Sequence, residues 1–134
     1  GAALKPAMSV SATVLQVRDV RPGQSVSYGR AFTTARAARI AVLGVGYADG
    51  YSRGLSDRGL VTIAGYRAPV RGRVCMGMLM AEVTDIPASI HEGDTAWLLG
   101  GPGAQALTAQ DVADIWCTIP YEVLCLLGRN ARRY

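Results

Sequence analysis

The sequence predicts a mostly-β fold: a small barrel-like domain with one or two short helices near its C-terminus. Three observations carry this reading. Short stretches rich in β-branched residues recur along the chain, separated by turns built on glycine and proline. Helical periodicity is confined to the end of the chain, from residue 108 onward. And 134 residues, half of them apolar, suit one domain with a real hydrophobic core. Many short strands with a little helix at the end make a barrel-like β architecture the natural solution.

"VSATVLQVRDV" (10–20) is rich in β-branched residues and runs into "RPGQ", a turn around Pro22 and Gly23. "SVSYGRAFT" (25–33) alternates, with Val26, Tyr28, Arg30 and Phe32 on one face, and predicts a short strand. "RIAVLGVGY" (39–47) is apolar on both faces and predicts a fully buried strand. A glycine-bearing loop follows over 48–59. The stretch 60–83 predicts a hairpin turning around Ala64 to Arg67 and then a longer strand. "DIPASIHEGD" (85–94) reads as a loop and "TAWLLGG" (95–101) as a strand. "TAQDVADIWCT" (108–118) predicts a helix, with Thr108 as N-cap, Asp111 in the capping-box position and an apolar stripe of Val112, Ile115 and Trp116. Pro120 interrupts it, and "YEVLCLLG" predicts a second short helix closed by Gly128. No internal repeat, long linker or low-complexity segment breaks the chain, so a single domain over 1–134 is expected.

The composition narrows the function classes. Net charge is +4, carried by scattered arginines with a cluster only in "RNARRY" at the end. Aromatic residues are too sparse for a base-stacking platform, so nucleic acid is not an expected partner. No apolar run reaches the roughly 20 residues that span a bilayer. The three cysteines, Cys75, Cys117 and Cys125, form no C-x-x-C pair, and His91 is the only histidine. No metal site is expected from these, and reduced, buried thiols are the default.

Several motifs taken together are more specific than any one: "LKPAMSVSATV", "SVSYGRAFT", "GVGYADGYSRG", "GRVCMGM" and "TIPYEVLC". In this order and spacing the chain resembles the C-terminal β-domain of alanine racemase, over about residues 4–128. The resemblance implies a pyridoxal-phosphate enzyme whose N-terminal TIM-type barrel carries the cofactor on a lysine. It also implies a head-to-tail homodimer in which this domain completes the partner's active site, acting on an amino-acid substrate in the bacterial cytoplasm to supply D-amino acids to the cell wall. The chain's one lysine, Lys5, lies in the stretch that would join such a barrel, so it is not the cofactor lysine. A β-domain without its barrel, inactive alone, is therefore expected.

The same resemblance implies the site residues. Tyr28 matches the tyrosine that serves as catalytic base on one face of the substrate, the barrel's lysine serving the other; read from the residues alone, it is a half-buried strand tyrosine. Met76 matches the position whose backbone N–H meets the substrate carboxylate, with Cys75 beside it; read alone, this is an apolar strand with a glycine bulge. Tyr121 matches a tyrosine that hydrogen-bonds the cofactor phosphate in its own subunit; read alone, it is a packing residue after a proline. Tyr47, Arg53, Arg73 and Ile119 match residues lining the access channel, against the simpler readings of packing tyrosine, solvated arginines and helix-end core. Asp49 and Gly50 shape a turn. Cys117 and Cys125 are expected in the core. The chain departs from the family at Gly77, where aspartate is usual. That leaves substrate preference open: a serine or broad-specificity racemase domain, or a non-catalytic dimerisation or binding module, are the alternatives.

Overall fold

The computed structural model describes residues 9–26, 32–33, 36–51, 53–118 and 120–127. Its strands are β1 (Val10–Val20), β2 (Ser25–Val26), β3 (Phe32–Thr33), β4 (Ala38–Leu43), β5 (Leu60–Ile63), β6 (Tyr66–Arg71), β7 (Leu79–Glu82) and β8 (Thr95–Leu99), followed by helices α1 (Ala109–Trp116) and α2 (Pro120–Leu127). Six strands close into an antiparallel barrel in the order β1-β4-β7-β6-β5-β8, with β8 returning to β1.

Closure depends on β1, which serves two neighbours. Its first residues pair with β8, from Val10↔Leu99 to Thr13↔Thr95, and the rest pairs with β4, from Val14↔Leu43 to Val20↔Ala38. The register slips between Val14 and Gln16, leaving Leu15 as the extra residue of a bulge. Bulges bend and overtwist a strand, which lets one long strand turn a barrel corner. The two-residue side-chain period then fills the interior with Val14, Ala41, Leu43, Val61, Ile63, Ala68, Val70, Leu79, Ala81, Ala96 and Leu98, all buried.

β4 is buried on both faces, as its sequence requires. Ala41 and Leu43 point into the barrel, while Ala38, Ile40 and Val42 join Val20 and Met80 in a second cluster outside it. Two expectations need correction. The 25–33 stretch is not one strand: Ser25 pairs with Thr33 and Val26 with Phe32 in a separate antiparallel sheet, so the alternating pattern spans two strands that face each other. The strand expected after the first hairpin is also broken, because Gly72 (φ 74°) ends β6 and residues 72–78 form a loop before β7. The hairpin turn itself is tighter than expected: Ala64 and Gly65, at φ 54° and 85°, make a two-residue connection of the kind that matches strand twist.

Thr108 caps α1 as its sequence predicts. Its hydroxyl accepts from the Asp111 N–H at 3.0 Å, and the Asp111 carboxylate accepts from the Thr108 N–H at 2.9 Å. Pro120 does more than interrupt: it occupies the first position of α2, where a missing N–H costs nothing. Gly128 lies outside the described residues. Tyr51, Leu55, Val112, Ala113, Val123 and Leu127 are buried together with the barrel core, and Trp116 meets Tyr51 edge-on at 5.8 Å.

Candidate functional site

Beyond β4 the chain leaves the barrel through Gly44-Val45-Gly46 and makes one 3-10 turn at Tyr47–Asp49. Asp49 builds that turn. Its carboxylate accepts from the Gly46 N–H at 3.0 Å, while its own N–H donates to the Gly46 carbonyl at 3.0 Å. Gly50 closes the turn in the left-handed region, and a Cβ there would also run into the Leu126 carbonyl of α2. Asp49 and Gly50 are thus turn-formers, and the helix containing Tyr121 packs directly against the turn.

The loop 72–78 is laid against the same turn and pinned from both sides. On one side the Tyr47 N–H donates to the Cys75 carbonyl and the Ala48 N–H to the Met76 carbonyl, both at 3.0 Å. Gly46 permits this approach, since a Cβ there would overlap both carbonyls. On the other side the loop meets a second 3-10 turn, Arg53–Leu55, and the residues after it. The Asp57 carboxylate accepts from the Gly72 N–H at 2.8 Å and the Ser56 hydroxyl accepts from the Val74 N–H at 2.9 Å. Within the loop the Cys75 N–H donates to the Met78 carbonyl at 2.9 Å, so the chain reverses through Met76 and Gly77.

That reversal puts Met76 at the tip, 62% exposed. Its N–H has no hydrogen-bond partner among the described residues. A rigidly mounted amide with no partner among the described residues is a ready donor for an anionic group. The Arg53 guanidinium lies over the Tyr47 ring at 5.3 Å, a cation–π contact that joins the two 3-10 turns along this rim of the barrel. Tyr47, Arg53, Cys75 and Met76 are therefore brought together, and Arg73 is exposed on the same loop. Tyr28 and Ile119 lie outside the described residues; Tyr121 lies in α2, but its side chain is likewise not described.

Two features of the rim are not marked in the sequence reading: the residues that hold the loop, and one buried tyrosine. Gly46, Ser56 and Asp57 position the loop without being candidates for chemistry themselves; "LSD", with two short polar side chains able to bond nearby backbone, was the available signal. Tyr51 is the other. It is buried beneath the turn, and desolvation pushes its phenol far above the ordinary tyrosine range. Its place is structural: a Cβ at Gly59 would collide with its hydroxyl. The cysteine expectation also needs correction. Cys117 is exposed rather than in the core, because it caps α1 in the left-handed conformation instead of riding on the helix's buried stripe. Arg58 donates to its sulfur at 3.4 Å and to the Ile115 carbonyl at 3.0 Å. Cys75 is partly buried, both thiols are free, and Cys125's side chain is not described. Among the described residues no group of three or more His, Cys, Asp or Glu side chains converges.

Comparison with known proteins agrees across the whole chain. The family described as "Alanine racemase, C-terminal domain" matches residues 7–134. An alanine racemase of Nitratidesulfovibrio vulgaris (strain DP4) is 54% identical over 134 residues, covering 100% of this chain and 35% of that protein. Among solved structures, the biosynthetic alanine racemase of Pseudomonas aeruginosa superposes with a TM-score of 0.86 at 39% identity, covering 98% of this chain and 36% of that one. The Bartonella henselae alanine racemase, solved with covalently bound pyridoxal phosphate, gives 0.85 at 34% identity over 94% of this chain and 34% of its own. The chain spans about a third of the length of the relatives it matches. With a closed antiparallel barrel, the pinned 72–78 loop and this match over residues 7–134, the chain belongs to the family of alanine racemase C-terminal domains.

Proposed function

We propose that this domain completes the active site of a pyridoxal-phosphate-dependent alanine racemase, interconverting L- and D-alanine. In this reading it works with an N-terminal barrel domain, in a head-to-tail homodimer in the bacterial cytoplasm, where D-alanine feeds peptidoglycan synthesis. The family match over residues 7–134 carries the proposal. The rim supports it by offering what the substrate side of such a site needs: a fixed backbone donor for a carboxylate and an aromatic–cation pair at the approach.

The donors of this chain fit the substrate side of the site, not the attachment of the cofactor, since the only lysine is Lys5. Tyr121 is the residue here that would hold the cofactor phosphate, through its phenol. Bound pyridoxal phosphate supplies an electron sink for charge left on the substrate α-carbon. The Met76 N–H takes the substrate carboxylate, with Cys75 beside it, and so fixes which face of the α-carbon is offered. Tyr47, Arg53, Arg73 and Ile119 line the approach and limit water and substrate access.

Tyr28 moves the α-proton on one face, and the barrel's lysine serves the other. Two bases are needed because inversion requires the proton to return from the side opposite to the one it left. A phenol with a pKa near ~10 is a poor base at neutral pH unless its anion is stabilised. Lowering it by about two units takes roughly 2.7 kcal/mol of differential stabilisation. In this reading that stabilisation comes from the barrel domain across the subunit boundary.

The test is Tyr28→Phe in the full-length enzyme, followed by exchange of the α-proton into deuterated water from each enantiomer separately. Exchange from L-alanine should slow by about 10²–10⁴-fold, the usual weight of a positioned base, and far more than exchange from D-alanine. Small, equal effects on both enantiomers would refute the assignment.

A further inference from the structure

Most glycines of this chain are explained by a left-handed φ or by a neighbour too close for a Cβ. Gly77 is explained by neither. Its φ lies outside the left-handed region, and a Cβ built on it would meet nothing within 4 Å among the described residues. Among those residues, nothing in this domain's own folding calls for glycine there. Yet the residue sits immediately after Met76, at the tip of a loop that Gly46, Ser56 and Asp57 hold in place.

Open space beside a fixed, unpartnered donor belongs to whatever that donor holds. Consecutive Cα atoms are about 3.8 Å apart, so any substituent at position 77 stands within one residue's reach of a carboxylate bound at the Met76 N–H. The α-carbon and side chain of that same ligand occupy this distance range. A methyl or larger group at 77 would take up that volume, and an acidic one would also face the ligand's own carboxylate with like charge. Glycine removes both obstacles.

We propose that Gly77 sets the size limit for the substrate side chain and opens the site to amino acids with one more heavy atom than alanine, serine and 2-aminobutyrate among them. This rests on the racemase reading above and deepens it. The same loop that selects an α-amino acid by its carboxylate then decides how large that amino acid is, using the absence of a side chain instead of a contact.

The test compares the parent full-length enzyme with Gly77→Ala and Gly77→Asp, measuring kcat/KM for alanine, serine and 2-aminobutyrate. A single added methylene changes discrimination by about 10–200-fold in a fitted pocket, so the 2-aminobutyrate-to-alanine ratio should fall at least about tenfold in Gly77→Asp. It should fall by less in Gly77→Ala; the alanine value falls too in Gly77→Asp, where the new carboxylate faces the substrate's own, but by less than the value for 2-aminobutyrate. An unmoved ratio would overturn the proposal. So would an equal loss on all three substrates, which would assign Gly77 to packing against another domain. A parent enzyme that turns over no alanine would instead overturn the racemase reading, and that result appears before any variant is made.

Discussion

Gly46→Ala is the sharpest single perturbation of the rim. The Cβ would be driven into the Cys75 and Met76 carbonyls, which are backbone atoms and cannot swing aside as a side chain would. Relief requires the loop 72–78 to lift away from the turn at Tyr47–Asp49. That breaks the bonds from the Tyr47 and Ala48 N–H groups to those carbonyls, both 3.0 Å. Forced overpacking costs about 1–3 kcal/mol, and two backbone hydrogen bonds are worth about 1 kcal/mol each. The total is about 3–5 kcal/mol, which for a chain of this size lowers the melting temperature by about 10–20 °C. The loop is also where the Met76 amide is presented, so KM for alanine in the full-length enzyme should rise along with the loss of stability. Thermal unfolding followed by circular dichroism reads the first effect and steady-state kinetics the second. Gly77→Ala on the same loop is the control, because its Cβ meets nothing within 4 Å among the described residues; it should melt like the parent. If Gly46→Ala melts within about 2 °C of the parent and keeps its KM, the loop is not held by the contacts described, and the account of how Met76 is mounted fails.

Two further outcomes follow from the fold. Burial holds the Tyr51 phenol protonated well above the usual range. Above about pH 10 the unfolded chain therefore releases a proton that the folded chain keeps, so stability falls as pH rises, by up to about 1.4 kcal/mol per unit from this residue. Denaturant titrations at about pH 9 and about pH 11 should show that slope reduced in Tyr51→Phe, and an unchanged slope would remove Tyr51 as its source. Thr108→Ala should cost about 1 kcal/mol in urea unfolding, since it removes the oxygen that accepts from the Asp111 N–H; a change below about 0.3 kcal/mol would mean the cap is not needed.

The elements that were legible in the sequence are those whose pattern answers to one partner surface. β1 (10–20) was readable from its β-branched run, and the double burial of β4 from its apolar residues on both faces. Thr108 and Asp111 announced α1 because a cap is a local device whose partners lie three residues apart. What was not legible depends on pairing distant in the chain. Alternation over 25–33 fits one strand as well as two that face each other, and only the Val26↔Phe32 register separates the two. The break at Gly72 is likewise invisible locally, since it is fixed by the Asp57 carboxylate fifteen positions away. The site shows the same division. The motifs name Tyr47, Arg53, Cys75 and Met76, but Ser56 and Asp57, whose side chains accept from the loop's backbone N–H groups and hold it in place, belong to none of them.

On the proposed reading, the rim lets this domain carry its share of an active site without an energetic burden of its own. A donor such as the Met76 N–H is costly only when it is buried unpaired. Here its residue is exposed at a loop tip, and the loop beneath is held by bonds that do not involve that N–H. The preorganisation is thus stored in Gly46, Ser56, Asp57 and the barrel they are mounted on, while the recognising atom stays free. Covering that atom with another domain excludes water and raises the value of each hydrogen bond it makes. A ligand that offers a carboxylate at that point is then favoured over one that leaves the amide unpaired. Backbone recognition of this kind is indifferent to the side chain that carries it, so on the proposed reading a change at the neighbouring position 77 alters specificity while the carboxylate contact at Met76 stays.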